Sequence, residues 1–202
     1  MTTLEIKRFA AFLFIAAMGL ALCGCMQTRA YVDSTLGDTN YADLKTSGRP
    51  QPIQLVFDFQ NKAQSNAGAV RDIKPQIALL LSQSGLFSDV SNDPVPSGRK
   101  LTIVINRVRL ADDAEKTKFG VGLATGGGRG MLTDGYTCTV SYIEPGRTPV
   151  TTVVKHALYR TMDYTAPGGL PPMSRGKAAE TVYRQLIAKS LAEIDRSSDL
   201  SQ

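Results

Sequence analysis

The sequence has few of the residues on which most metal, redox and nucleic-acid sites depend. Its 202 residues include one histidine, three cysteines and no tryptophan. One imidazole cannot supply a multi-histidine metal cage, and three thiols cannot form a disulfide framework. The 23 Lys and Arg residues are scattered and exceed the 18 Asp and Glu residues only slightly, which excludes a dedicated nucleic-acid-binding protein. The composition therefore predicts no metal, no cofactor and no nucleic-acid partner.

The first 24 residues have the organisation of a signal peptide. Lys7 and Arg8 precede a continuous apolar run of 14 residues, 9–22. A membrane-spanning helix needs roughly 20 apolar residues, whereas this run has the length of a signal-peptide apolar region. We therefore predict a signal peptide over residues 1–24. An ordinary signal peptide or a membrane-anchor helix is the alternative.

The end of this segment resembles the lipobox of bacterial lipoproteins. In Leu22-Cys23-Gly24-Cys25, an aliphatic residue stands three positions before Cys25 and a small residue directly before it. The resemblance implies that the Cys25 thiol is linked to diacylglycerol, that cleavage occurs just before Cys25, and that the new amine is acylated. Cys23 fits the pattern less well because the bulky Leu22 directly precedes it. Met26 follows Cys25, and by resemblance to enterobacterial lipoproteins it favours the outer membrane, with the protein facing the periplasm.

Composition divides the remaining chain into three segments. Residues 25–52 comprise Cys25 and a stretch rich in Gly, Pro and polar residues, without apolar periodicity, which predicts a flexible tether. Its few apolar residues leave open that part of it packs on the domain. An α+β domain is predicted over 53–196, and a disordered tail over 197–202.

The periodicity of the main segment predicts a single two-layer α+β domain. Apolar residues alternate in the strand patterns, and the turn at 144–147 joins the last two strands as a hairpin. Two amphipathic helices, one ending at Gly85 and one capped by Ser174, are expected to cover one face of a mostly antiparallel sheet. The predicted strands lie near residues 53–59, 89–90, 101–108, 136–142 and 150–159.

The order of these elements also resembles that of small α/β periplasmic lipoproteins. The resemblance is carried by Phe57-x-Phe59 at the end of a strand, by Ser84-Gly85-Leu86-Phe87 at the end of a helix, and by the terminal amphipathic helix. Proteins of this kind include activators of peptidoglycan synthases, ring lipoproteins of polysaccharide export and the amino-terminal domain of TolB. The resemblance implies an accessory or assembly role and assigns no functional residue.

Catalytic templates fit the sequence poorly. A Ser-His-Asp or Cys-His site must use His156, and no Gly-x-Ser-x-Gly elbow is present. A pair of Cys138 and His156 is conceivable on neighbouring strands, but Cys138 lies on the apolar strand face, where a thiol is usually inert. We therefore predict no catalytic residue.

The glycine-rich segment 118–135 is predicted to be a loop. It has seven glycines, but the third glycine of a dinucleotide-binding pattern is replaced by Thr125, and a strand follows where a phosphate site needs a helix. It is interpreted either as a mobile loop or as a contact loop for a neighbouring subunit or a membrane. The apolar residues available for such contacts are Phe119, Val121, Leu123, Met131 and Leu132.

Charged residues give three further predictions. The acidic group of Asp112, Asp113 and Glu115 lacks the spacing of a calcium loop and is interpreted as a solvated turn. Asp58 points either to solvent or into the interior of an oligomer. Arg107 and Arg109 share one strand face and could bind phosphate or carboxylate groups, although a solvated strand end is the simpler interpretation.

Together these observations predict a membrane-anchored periplasmic lipoprotein that is a non-catalytic scaffold or activator and binds an envelope protein. Lipidation of Cys25 is its predicted modification. The alternative is a homo-oligomeric accessory subunit of an envelope export or transport system. A hydrolase centred on His156 is the weakest of the three hypotheses.

Overall fold

The computed structural model describes residues 28–39, 44, 50–111, 113–119, 131–161 and 169–198. Within these ranges a seven-stranded, mostly antiparallel sheet is joined by two long helices and a short one, which confirms a single α+β domain. The strands are β1 Arg29–Val32, β2 Gln51–Asn61, β3 Gln64–Ser65, β4 Phe87–Ser91, β5 Lys100–Leu110, β6 Leu132–Ile143 and β7 Val150–Thr161. The helices are α1 Ala67–Gln83, α2 Asp113–Lys118 and α3 Arg175–Ser198.

The strand order in the sheet is β1-β7-β6-β5-β2-β3, and β4 pairs with β2. The hairpin of β6 and β7 is antiparallel, as are the pairs β5–β6 and β1–β7. Strand β2 is parallel to both β4 and β5, because α1 carries the chain back to the start of the sheet. As a result, the ends of β2, β5 and β7 lie at the same end of the sheet as the starts of β1 and β6.

One apolar core lies between the sheet and helices α1 and α3. Neighbouring strands contribute Phe59, Ile105 and Cys138 in register, and all three are buried. The predicted stripe of α3 is buried in full, which confirms that periodicity. The stripe consists of Ala178, Val182, Leu186, Leu191 and Ile194.

Capping fixes the ends of α1. The side chain of Asn66 accepts a hydrogen bond from the Ala69 N–H at 3.0 Å, and Gly85 follows the C-cap with φ of 73°. The predicted helix end is thus confirmed. Pro75 lies inside this helix and does not mark its start.

The prediction of a tether over 25–52 is wrong for residues 29–32 and for Leu44. Arg29–Val32 forms the edge strand β1, and Ala30, Tyr31 and Val32 are buried. Leu44 is buried as well, so the alternative of packing on the domain holds at these positions. The domain therefore begins well before residue 53. Residues 40–43 and 45–49 lie outside the described residues.

Three local elements differ from the sequence-based expectations. The acidic group lies partly in α2, where the Glu115 carboxylate accepts the Ala111 N–H at 2.7 Å, so that part is helical and not a simple turn. Helix α3 continues to Ser198, two residues into the predicted tail, while 199–202 lie outside the described residues. The short strand β3, which follows a two-residue turn after β2, was not among the predicted strands.

A second, smaller apolar cluster lies on the opposite face of the sheet, at its β1 edge. Its buried members are Tyr31, Leu110, Ala157 and Tyr159, and Phe119 and Met131 pack against them. The predicted contact residues Phe119 and Met131 are therefore directed at this domain itself. Val121 and Leu123 lie outside the described residues.

Because Gly135 has no side chain, the Phe119 ring can pack directly against the backbone at this position. A Cβ atom at position 135 would lie 2.9 Å from Phe119 Cε1 and 3.1 Å from Leu110 Cδ1. We expect Gly135→Ala to lower the free energy of unfolding by about 1–3 kcal/mol, since the ring must move off the sheet. Urea unfolding measures this effect.

The control for this substitution is Gly176→Ala in α3, where an added Cβ has no neighbour within 4 Å. Alanine is the better helix former, so this variant should be more stable by about 0.5–1 kcal/mol. Equal effects of the two substitutions would contradict the steric role of Gly135.

Candidate anion-binding site

Five cationic side chains converge at the end of the sheet where β2, β5 and β7 end. They line a pocket of about 310 Å³, to which the described residues contribute one carboxylate. Five positive charges and one negative charge give the lining a net charge of +4. The lining residues are Asn61, Lys62, Arg107, Val108, Arg109, Asp134, Arg160 and Arg175. We call this group the cationic pocket.

The cationic pocket continues the same sheet face that forms the main core. Along β5, Leu101, Ile103 and Ile105 are buried under the helices, and Arg107 and Arg109 occupy the next two positions of that alternation. Arg109 pairs with Asp134 of β6 in the register. The face therefore changes from apolar to cationic where the covering helices end.

Asp134 neutralises only part of this charge. Its carboxylate accepts a hydrogen bond from Nη2 of Arg160 at 2.7 Å, and both side chains are largely buried. The Nε of Arg160 is buried and has no hydrogen-bond partner within the described residues. A buried donor without a partner is costly, so this nitrogen is available to an incoming acceptor.

The remaining cations are held by local geometry. The Nε of Arg107 donates to Asn61 Oδ1 at 3.0 Å, which fixes the guanidinium across β2 and β5. Lys62 has a φ of 52° and Ala63 a φ of 63° in the turn between β2 and β3, a left-handed conformation that non-glycine residues rarely adopt. Arg175 opens α3, whose N-terminal peptide dipoles add positive potential.

Two tyrosines lie where the cationic pocket meets the core. The rings of Tyr136 and Tyr183 contact each other edge to face, with centroids 6.1 Å apart. Burial raises the pKa of both hydroxyls, and Arg107 opposes the increase at each of them. Both side chains are therefore neutral at physiological pH, and the charge of the pocket comes from its cations.

Part of this site could be predicted from the sequence. Arg107 and Arg109 do share one face, and both line the cationic pocket at the end of β5. Lys62, Arg160 and Arg175 were missed, because only the strand register and the start of α3 bring them to the same place. Arg160 carried one signal, since it continues the alternation of the buried residues of β7.

The conceivable Cys138–His156 pair is not arranged as a nucleophile and base. Cys138 is fully buried between Ile105 and Val154 of the adjacent strands, and burial raises the pKa of its thiol to about 12. A thiol with that pKa supplies almost no thiolate at neutral pH. The Nε2 of His156 lies 2.6 Å from Oε1 of Gln185, so that nitrogen is engaged by α3.

His156 belongs instead to a chain of polar side chains that runs from the buried imidazole to the surface. The Nε2 of Gln185 donates to Asp38 Oδ1 at 2.9 Å, and Arg184 pairs with the same oxygen at 3.1 Å. The amide oxygen of Gln185 therefore faces His156 and accepts its N–H. This chain ties the segment after β1 to α3 and β7.

We expect the titration of His156 to affect stability between pH 5 and pH 7. Burial lowers the pKa of the imidazole, while Gln185 and Asp33 oppose the decrease. The unfolded chain then binds the proton more readily than the folded protein, so the free energy of unfolding falls as the pH decreases below roughly 6.5. Urea unfolding at several pH values measures this slope.

His156→Gln keeps a donor toward Gln185 and removes the titrating group. This variant should therefore lose most of the stability change over that pH range. Because the chain has no other histidine, an unchanged slope would rule out the buried imidazole as its origin.

Other polar features of the described residues have structural roles. The Asp58 carboxylate accepts hydrogen bonds from Ser65 at 2.6 Å and from Gln60 at 2.8 Å, which lower its pKa and fasten β3 to the sheet.

No group of three or more metal-ligating His, Cys, Asp or Glu side chains occurs in the part of the chain that is described. No helix in that part is long and apolar enough to cross a membrane.

No family model and no curated protein matches this sequence. Among solved structures, rare lipoprotein B from Shewanella oneidensis is similar over 73% of this chain and 92% of its own, with 10% identity and a TM-score of 0.38. A minor lipoprotein from Acinetobacter baumannii covers 76% and 92%, with 14% identity and a TM-score of 0.34. A PelC dodecamer from Paraburkholderia phytofirmans covers 82% and 96%, with 16% identity and a TM-score of 0.33. Identities and TM-scores this low carry no inference about this chain.

Proposed function

We propose that this chain is a lipoprotein of the bacterial envelope that is anchored through Cys25 and acts by binding. The observation that carries the proposal is the motif Leu22-Cys23-Gly24-Cys25 directly after a basic start and a short apolar run. Cys25 itself lies outside the described residues. The outer membrane, with the domain facing the periplasm, is the location that Met26 favours. We propose a role as a scaffold or activator that contacts another envelope protein.

The position of β1 limits how far the domain can lie from a lipid on Cys25. Arg29 is only four positions after Cys25, and four such steps of the chain span at most about 14 Å. A lipid on Cys25 would therefore hold the start of β1 close to the membrane surface. The domain would lie next to the membrane surface and not at the end of a long tether.

We expect Cys25→Ala to abolish both lipid attachment and membrane retention. Two or more acyl chains anchor a protein stably, and this variant would carry none of them. Metabolic labelling with palmitate, followed by membrane fractionation and mass analysis of the purified N-terminus, measures the result.

Cys23→Ala is the matched control, because it removes a thiol two positions away and leaves Gly24-Cys25 intact. It should keep the label. Label that persists in Cys25→Ala, or a native protein that begins at another residue, would defeat the anchor.

The second candidate is an oligomeric accessory subunit of an envelope export or transport system. It is favoured by the sheet face that the long helices do not cover, on which Val56 and Val153 are 40% and 55% exposed. Light scattering of the purified full-length protein distinguishes the two, since a stable ring supports the subunit and a monomer supports the scaffold.

A further inference from the structure

We infer that the cationic pocket binds the phosphate of an anionic phospholipid headgroup in the membrane to which Cys25 is anchored. The inference rests on the proposed function, because the anchor would place the pocket next to lipid headgroups and not next to other anions. The juxtaposition that carries it is the location of the anchored end of β1 and of the cationic pocket at one end of the same sheet.

The strand register establishes that juxtaposition. Arg29, the first residue of β1, pairs with Thr161 at the end of β7. Arg160, which lines the cationic pocket, is the neighbour of Thr161 and pairs with Ala30. Ala30 also bridges to Met173, two residues before Arg175 of the pocket. The anchored end and the pocket are thus adjacent in the fold.

The chemistry of the lining fits a phosphate with uncompensated negative charge. Guanidinium groups form paired hydrogen bonds with phosphate oxygens, and four of the five cations are arginines. Arg160, which lines the pocket, also has a buried Nε without a hydrogen-bond partner, which is an unused donor. A net charge of +4 would repel the ammonium group of a zwitterionic headgroup, so the lining favours an anionic lipid.

At the opposite end of the sheet, by contrast, the pocket has a carboxylate that pairs with two arginines. There the pocket of about 340 Å³ contains Glu144, which pairs with Arg99 and Arg147. At the anchored end, Lys62, Arg109 and Arg175 have no ion-pair partner among the described residues. Three unpaired cations therefore lie together at the anchored end, where anionic headgroups would attract them.

The test uses the mature protein purified in a non-ionic detergent. Dihexanoylphosphatidylglycerol, below its micelle concentration, is titrated by calorimetry, and dihexanoylphosphatidylcholine and inorganic phosphate are titrated in parallel. The variant Arg109→Gln/Arg175→Gln removes two exposed charges from the pocket without touching its buried pair. Arg147→Gln/Arg196→Gln removes the same charge from exposed positions outside the pocket and is the matched control.

We expect the phosphatidylglycerol analogue to bind at least tenfold more tightly than the phosphatidylcholine analogue. Each cation near an anionic lipid contributes about fivefold in affinity, so the pocket variant should bind about 25-fold more weakly. The control variant should bind like the wild type. Thermal unfolding of both variants verifies that they are folded.

Three titration results would overturn the inference. These are equal affinity for the two lipids, unchanged affinity of the pocket variant, and inorganic phosphate binding as tightly as phosphatidylglycerol, which would identify a free-phosphate site. Preferential binding of an acidic protein in place of the lipid would overturn it as well. Lipidation of Cys25 is measured in a separate experiment, by determining the mass of the N-terminal peptide. A lipidated Cys25 without lipid preference refutes the pocket alone, and lipid binding without a lipidated Cys25 refutes the anchor alone.

Discussion

Replacing Asp134 by alanine is expected to lower the free energy of unfolding by about 3–5 kcal/mol. Its carboxylate is buried against Arg160, and removing it leaves a buried guanidinium without its counter-ion. The same substitution removes the one carboxylate that stands beside five cations among the described residues of the lining. Urea unfolding of wild type and variant measures the loss.

Salt should reveal the repulsion that remains in this variant. Screening weakens the interaction between like charges, so a higher concentration of sodium chloride should recover part of the lost stability in Asp134→Ala. Phosphate should recover more than chloride at equal ionic strength, because binding to the folded state alone stabilises it.

Asp72→Ala is the control for the Asp134 substitution. Its ion pair with Arg71 is exposed, with side chains that are 82% and 71% accessible, and exposed pairs contribute about 0–1 kcal/mol. A loss in Asp134→Ala no larger than that in Asp72→Ala would show that the carboxylate does not hold the cationic pocket together.

Leu186→Ala should cost about 2–5 kcal/mol of unfolding free energy. Leu186 is fully buried near the middle of α3, in the layer between that helix and the sheet. Truncation removes its contacts on the apolar stripe and leaves a cavity that the surrounding core only partly fills. Chemical denaturation with an unchanged m-value would indicate that stability, and not the unfolded state, has changed.

Leu79→Ala in α1 is the matched control for the Leu186 substitution. Leu79 is 58% exposed, so the same truncation removes little buried surface and should change stability by less than about 0.5 kcal/mol. Similar losses for the two leucines would contradict the two-layer arrangement.

The long elements could be predicted from the sequence because each carries its own periodic signal. The alternation around Cys138, the turn at 144–147 and the stripe along α3 are local patterns that the fold retains. Gly146 has φ of 81°, as the predicted turn requires, and the Arg147 N–H donates to the Glu144 carbonyl oxygen at 3.1 Å. Local chemistry was sufficient for these elements.

Strand β1 was missed because its signal is not local. Four residues are too few for a convincing alternation, and they stand in a segment whose glycines and prolines are typical of a linker. What makes them a strand is pairing with β7, together with the hydrogen bond from the Tyr159 hydroxyl to the Asp33 carboxylate. Composition alone carries no information about a partner so far along the chain.

The candidate site was only half predictable for the same reason. Arg107 and Arg109 could be placed on one face because they belong to one strand. Lys62 joins them through the parallel pairing of β2 with β5, Arg160 through the antiparallel pairing of β5, β6 and β7, and Arg175 through the packing of α3. A charge cluster built from four separate elements has no signature in any window of the sequence.

The pairing of β1 with β7 also sets an order of assembly. Asp33 and Tyr159 are 126 positions apart, so the loop that they close contains most of the domain. Closing a loop of this length costs more entropy than forming the neighbouring hairpin of β6 and β7. Strand β1 therefore docks after this hairpin has formed, although it precedes the hairpin in the chain, and a nascent chain that stops before β7 lacks the strand with which β1 pairs.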